Sequence, residues 1–239
     1  MDLTPIAYEV NGKPYTGFLA DGSKGRRAPG VLVAHEGGGM TDHPKDRARM
    51  LAELGYVAFA MDTFGEPVTD MARSRQILQG LMADPDELRA RAVTALGLLK
   101  RQPNVDAGRL AAIGFCFGGT TVLELAKTGA DLACVVGFHS GLLPARVAEP
   151  GAIKAKVLVC MGSADPIIPA EQRDGFAAEM TAAGADWQML VLGGVGHSFT
   201  NPGIDALGLP GFNYDAVADR RAWAAMRDLF DETLGPVEA

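Results

Sequence analysis

Six short runs of almost unbroken apolar residues recur along this chain: VLVAH (31–35), YVAFAM (56–61), LAAIGF (110–115), ACVVGF (133–138), KVLVC ending at Cys160, and WQMLVL (187–192). A strand with one wet face alternates apolar and polar residues, so a continuous apolar run implies cover on both faces. Helical spacing separates most of these runs. The pattern predicts an α/β fold whose mostly parallel twisted sheet carries helices on both faces. One helix is expected from about Asp42 to Leu54. Another is bounded by Asp84 as cap, Pro85 at its first position and Glu87 at capping-box spacing, with Leu88, Val93, Leu96 and Leu99 inward, and it runs to about Gln102. A last helix, about 214–234, places Val217, Trp223, Met226, Leu229 and Phe230 on one stripe. Ahead of the sheet, Ile6–Val10 and Tyr15–Ala20 flank Asn11-Gly12, which predicts an N-terminal β-hairpin.

No repeat and no Pro/Gly/Ser-rich linker divides the 239 residues, so one domain spanning 1–239 is expected. The formal net charge is −7 and no basic run interrupts it, which argues against a nucleic-acid partner. The start, MDLTPIAYEV, lacks the basic and apolar regions of a leader, and no stretch approaches the roughly 20 apolar residues that span a bilayer. Cys116, Cys134 and Cys160 cannot all pair and match no zinc-ligand spacing; thiols in a reducing, cytoplasmic compartment are expected. His35-Glu36 lacks the second histidine of a metalloprotease helix, so neither metal nor cofactor is expected.

The chemistry concentrates in GFCFGG (114–119), a G-x-C-x-G elbow joining a buried strand to a helix. Such a turn strains the central residue and needs small neighbours, and it lifts the side chain to a helix N-terminus, where partial positive charge favours a thiolate. Cys116 is the candidate nucleophile. Cys134 and Cys160 lie in apolar strands and read as core. His197, in the loop after WQMLVL, is the candidate base, while His35 and His43 have ready structural roles and His139 falls too early in the chain. Asp165, directly after KVLVCMG, is the candidate orienting acid, with Asp205 and Asp215 as weaker alternatives; by itself an Asp-Pro pair is more often a turn. The order Cys116, Asp165, His197 is that of an α/β-hydrolase triad.

With these segments on the page, the chain resembles the dienelactone hydrolase family over nearly its whole length. GFCFGG is similar to the family's nucleophile motif, GSADPIIP (162–169) to its acid loop and GHSFTNP (196–202) to its histidine loop. YDAVADRRAWAAMRDLF (214–230) resembles the ending of a broad branch of the family. The resemblance implies an α/β-hydrolase fold, a Cys-Asp-His triad and carboxymethylenebutenolidase-type hydrolysis of lactones or activated esters. It also implies that Glu36, in AHEGGG, touches the resting thiol; a carboxylate there disfavours the thiolate by like-charge repulsion until substrate moves it. Gly37 and Phe117 are the expected oxyanion donors. Of the family's two substrate arginines, one falls at Arg73, with Arg75 close by, and the other place holds Asn201, whose neutral amide cannot clamp a carboxylate as a guanidinium does. Phe199, with Phe64, Phe115, Phe117 and Phe138, is available for pocket walls.

A small-molecule ester or lactone is the expected partner, met by a monomer or small homo-oligomer. The alternatives are a general short-chain carboxylesterase or thioesterase with the same triad and, from another class, a binding module that keeps the fold without turnover.

Overall fold

The computed structural model describes residues 1–237. Strands β1 (Thr4–Val10) and β2 (Lys13–Asp21) form the hairpin, and Asn11 and Gly12 both take positive φ, 50° and 78°, as a tight turn between right-twisted strands requires. Tyr8 pairs with Tyr15 across it, their rings stacked at 5.5 Å. Then follow β3 (Ala28–Ala34), α1 (Asp42–Glu53), β4 (Val57–Met61), α2 (Met71–Ala83), α3 (Pro85–Lys100), β5 (Val105–Phe115), α4 (Phe117–Lys127), β6 (Cys134–Phe138), β7 (Lys156–Gly162), α5 (Ala170–Ala182), β8 (Trp187–Leu192) and α6 (Ala216–Leu234). The eight-stranded sheet runs β1-β2-β4-β3-β5-β6-β7-β8; β1–β2 and β2–β4 pair antiparallel and every other pair is parallel. The α/β-hydrolase architecture read from the apolar runs is thus present.

The physical cause is visible strand by strand. Val31, Val33, Ala111, Ile113 and Phe115 point to the face covered by α1 and α6, where Leu51, Met226, Leu229 and Phe230 meet them. Their neighbours Leu32, Ala34, Leu110 and Ala112 point to the other face, against Leu96, Leu99, Val122 and Leu125 of α3 and α4. Period-two alternation between two dry faces leaves no polar position in the run.

Three details differ from expectation. Asp84 caps α3 through the Glu87 N–H at 3.1 Å, but the Glu87 carboxylate turns to Arg91 and Asn11 instead of closing the capping box. Val93 and Val217 are exposed; the small residues Ala92, Ala95, Ala218 and Ala222 take the inward places and let the helices approach the sheet closely. Helix α2, whose sequence shows no clear apolar period, packs Ile77 and Leu81 with Phe64, Leu88 and Phe117 into a separate cluster that also touches Cys116.

A buried ionic knot fixes the segment after β6. The Glu124 carboxylate, 1% exposed, accepts from Arg89 Nη2 at 2.8 Å, Lys127 Nζ at 3.1 Å and the Ala145 N–H at 3.1 Å, and Lys127 also reaches Glu179 at 2.8 Å. Removing one charge from such a group strands the others away from water. Glu124→Ala is therefore expected to lower unfolding free energy by about 3–5 kcal/mol, read from denaturant midpoints.

Candidate active site

Strand β5 ends at Phe115 and α4 begins at Phe117, leaving Cys116 alone in the turn at φ 52°, ψ −117°. Such a conformation persists only where the surroundings enforce it. Here they do so by contact. A Cβ on Gly114 would lie 2.0 Å from the Gly118 carbonyl oxygen, one on Gly118 would lie 2.2 Å from the Ala34 oxygen, and one on Gly119 would lie 1.8 Å from Ser140 Oγ. The turn is pressed between the ends of β3 and β6, and only glycine fits at those three places. Cys116 is partly exposed, whereas Cys134 and Cys160 are buried and burial pushes both thiols up to about 12. Those two are inert at neutral pH.

His197 and Asp165 meet as the spacing predicted. His197 Nδ1 lies 2.6 Å from Asp165 Oδ2, with both side chains fully buried. Asp165 is at the same time the turn residue that its Asp-Pro context suggested: Oδ1 accepts the N–H groups of Ile167 and Ile168 at 2.9 and 3.1 Å. The two oxygens divide the two roles. Burial pushes the His197 imidazole down, but the electrostatic pull of Cys116 and the hydrogen bond that Nδ1–H donates to the Asp165 carboxylate outweigh it and raise the ring to about 10. Its Nε2 is buried and has no hydrogen-bond partner among the described residues. The 201–213 segment, which includes a short 3-10 helix (Ile204–Leu207), buttresses this histidine: the His197 N–H donates to Gly211 O at 2.8 Å and the Asn213 N–H to His197 O at 3.2 Å. Asp205 accepts from the Tyr214 N–H and Asp215 caps α6, so neither competes for the imidazole.

Glu36 is buried beside the glycine loop and is not a surface residue. Burial pushes its carboxyl up; the hydrogen bond and charge of His43 act against this, aided by His139 and Ser198, and hold it at about 2. Oε2 lies 3.3 Å from His43 Nδ1 and accepts from Asn201 Nδ2 at 2.5 Å, while Oε1 has no partner among the described residues. Neither oxygen is hydrogen-bonded to the Cys116 thiol. His43 is held in turn by Arg47, whose guanidinium pairs with Asp219 at 2.8 Å and also binds the Thr200 carbonyl. The Gly37 carbonyl accepts from Ser74 Oγ at 2.7 Å, and its N–H has no acceptor among the described residues. Phe117 opens α4, where an N–H has no intrahelical acceptor. Neither N–H donates to an acceptor among the described residues.

The expected substrate contacts fare differently. Arg73 is half-exposed and its guanidinium is engaged by Glu66 and by Gln76 at 2.6 Å, and its neighbour Arg75 is exposed. Asn201 serves Glu36. Phe199 is fully buried against His139, ring centroids 5.1 Å apart, and has no surface to offer a ligand. His35 is structural, accepting the Thr63 N–H at 3.0 Å. Sequence reasoning passed over Ser74, Thr200 and Arg47; no motif marks them, because their partners lie 37 to 172 residues away. Among the described residues no cluster of His, Cys, Asp and Glu is arranged to hold a metal ion, and no helix is long and apolar enough to cross a membrane.

Because Cys116 is the largest influence raising His197, Cys116→Ala is expected to lower the His197 titration midpoint from about 10, read by NMR. A raised folded-state value stabilises the fold fully below about 6.5 and loses that contribution as pH rises through about 10, so the variant loses it at lower pH.

Comparison with known proteins agrees with this fold. The dienelactone hydrolase family model matches residues 16–234. A Bradyrhizobium protein named as a probable 2-oxo-3-(5-oxofuran-2-ylidene)propanoate lactonase is 30% identical over 236 residues, covering 93% of this chain and 90% of its own length. Among solved structures, a dienelactone hydrolase-like promiscuous phosphotriesterase from metagenomic libraries superposes with TM-score 0.92 at 43% identity, covering 97% of this chain and 98% of its own. The structure called m3DLH gives 0.93 at 45% identity with the same coverage. With an elbow, an oriented histidine and a family match over most of its length, the chain belongs to the dienelactone hydrolase family and is a hydrolase acting on esters or lactones.

Proposed function

We propose that the protein is a cysteine hydrolase of lactones or activated esters, with Cys116 as nucleophile, His197 as base and Asp165 as its orienting acid. The observation that carries this reading is the 2.6 Å Asp165–His197 bond beside a cysteine held in a strained elbow. His197 takes the thiol proton and Cys116 Sγ attacks the carbonyl carbon. The Gly37 and Phe117 N–H groups hold the oxyanion. When the carbonyl re-forms, the bond to the leaving oxygen breaks, that oxygen takes the proton from His197, and a thioester remains. Water, deprotonated by His197, then attacks the thioester; the carboxylic acid leaves and the thiol is restored.

Sulfur as nucleophile narrows the substrate. A thiolate leaves more readily than a simple alkoxide, so the tetrahedral intermediate on an alkyl ester returns to substrate. Enols, phenols and thiols leave well enough to compete. The name of the Bradyrhizobium relative supports an enol lactone, and that of the metagenomic enzyme makes a phosphotriester a second substrate to assay. A general carboxylesterase or thioesterase shares every step and differs only in kinetics. We read the chain as one catalytic domain acting on a small molecule without a cofactor, as a monomer or small homo-oligomer. Its three free cysteines suit the cytoplasm.

The test compares initial rates on cis-dienelactone, p-nitrophenyl acetate and an aryl phosphotriester, with protein mass followed during turnover. Cys116→Ala should abolish the acyl adduct and reduce turnover at least about 10³-fold, and Asp165→Asn should reduce it by about 10³–10⁴-fold with the fold intact. Turnover without a Cys116 adduct in the wild type would remove the nucleophile, and the absence of both would favour a binding module.

A further inference from the structure

His139 lies at the centre of the site, yet the reaction as written gives it no task. It follows β6 at φ 39°, a left-handed conformation uncommon for a side chain with a Cβ, and it is fully buried. The Cys116 N–H donates to its Nδ1 at 3.2 Å as well as to the Phe138 carbonyl at 2.9 Å. An Nδ1 that accepts carries no proton, so the ring proton sits on Nε2, which lies 2.8 Å from Thr200 Oγ1 and donates to it. Thr200 stands three residues beyond His197 in the same loop. The ring also meets His197 edge to face at 5.2 Å and Phe199 at 5.1 Å. Phe115 and Phe199 could nest an apolar ring equally well, so packing alone does not call for imidazole.

We propose that His139 is a positioning residue for the nucleophile: its neutral imidazole ties the backbone of Cys116 to the loop that carries His197, and so sets the sulfur and the base in register. The inference rests on the reading of Cys116 as nucleophile. The N–H of the strained elbow is shared between the Phe138 carbonyl and Nδ1, and Nδ1 adds a second fixed point from a loop that α4 itself touches through Gly119 and Ser140. Neutrality suits the place. Burial drives the imidazole well below its ordinary range; Glu36 opposes this, and His197, His43 and Arg47 reinforce it. The ring therefore stays neutral and keeps the single tautomer that both bonds require. Thr200 completes the frame, since its carbonyl is held by the Arg47 guanidinium.

The experiment uses His139→Phe, which keeps the ring and loses both bonds, and His139→Asn, whose Oδ1 takes the place of Nδ1. kcat and KM on p-nitrophenyl acetate are measured beside the rate of Cys116 alkylation by iodoacetamide and the Tm. His139→Phe is expected to lower kcat about 10- to 100-fold with KM little changed, and to slow alkylation in parallel. His139→Asn should recover most of both. Wild-type kcat in His139→Phe, or an equal loss in the two variants, would overturn the role. If His139→Phe does not fold, Thr200→Val carries the test, with a smaller kcat loss expected and an unchanged kcat contradicting it. If Cys116→Ala itself retains turnover, the nucleophile reading fails first, and the alkylation rates of the His139 variants keep the two failures apart.

Discussion

Cys116 keeps a backbone conformation that costs free energy because the elbow cannot relax in any direction. Gly118 backs onto the Ala34 carbonyl, Gly119 onto Ser140, and Gly114 onto Gly118 itself, each at a distance that excludes a single methyl group. Contacts of this kind act as mechanical stops. They also place everything else: the first turn of α4 rests on the end of β3, which leads directly into Glu36 and Gly37, and on the segment after β6, which carries His139. The candidate nucleophile, the candidate oxyanion amides and the carboxylate share one close-packed junction. A site assembled this way is stiff on the scale that acyl transfer requires.

Around the junction, charge is distributed so that almost every buried polar atom is satisfied. Asp165 spends one oxygen on its own turn and the other on His197. Glu36 is held ionised by His43 and Asn201, His43 is held by Arg47, and Arg47 by Asp219 on α6. Among the described residues the exceptions around the site are Glu36 Oε1, His197 Nε2, Ser140 Oγ and His43 Nδ1, which are buried without a hydrogen-bond partner, the last lying 3.3 Å from Glu36 Oε2. An orphaned buried acceptor is costly unless a ligand or water completes it. That the orphans fall where the reaction is proposed to occur is consistent with a site shaped for groups that arrive with the substrate.

The parts of this arrangement that were legible in the sequence are those encoded locally. The apolar runs specified buried strands, Asn11-Gly12 specified the hairpin turn, and Asp84-Pro85 specified the start of α3. The elbow announced itself because a strained turn demands glycine on either side of one residue. Asp165 and His197 followed from their places after consecutive strands, since parallel strands deliver the residues just beyond them to one edge of the sheet. The partners of Glu36, Arg73 and Phe199 were not legible. Each depends on where a side chain points after packing: Glu36 toward His43, Arg73 outward to Glu66, Phe199 into the core against His139. Helix α2 was equally silent, because it packs on a small separate cluster and needs few apolar positions.

The sequence by itself determined the layered architecture, the elbow and the chain order of the three candidate groups at its centre, because these follow from periodicity, backbone restriction and the direction of parallel strands. Only the tertiary structure decided which oxygen of Asp165 faces the imidazole, what Glu36 touches, and that His139 joins the elbow to the histidine loop. Those are contacts between residues far apart in the chain, with hydrogen-bond geometry that no local pattern carries. They exist only once the sheet has brought the ends of β3, β5, β6, β7 and β8 to one edge.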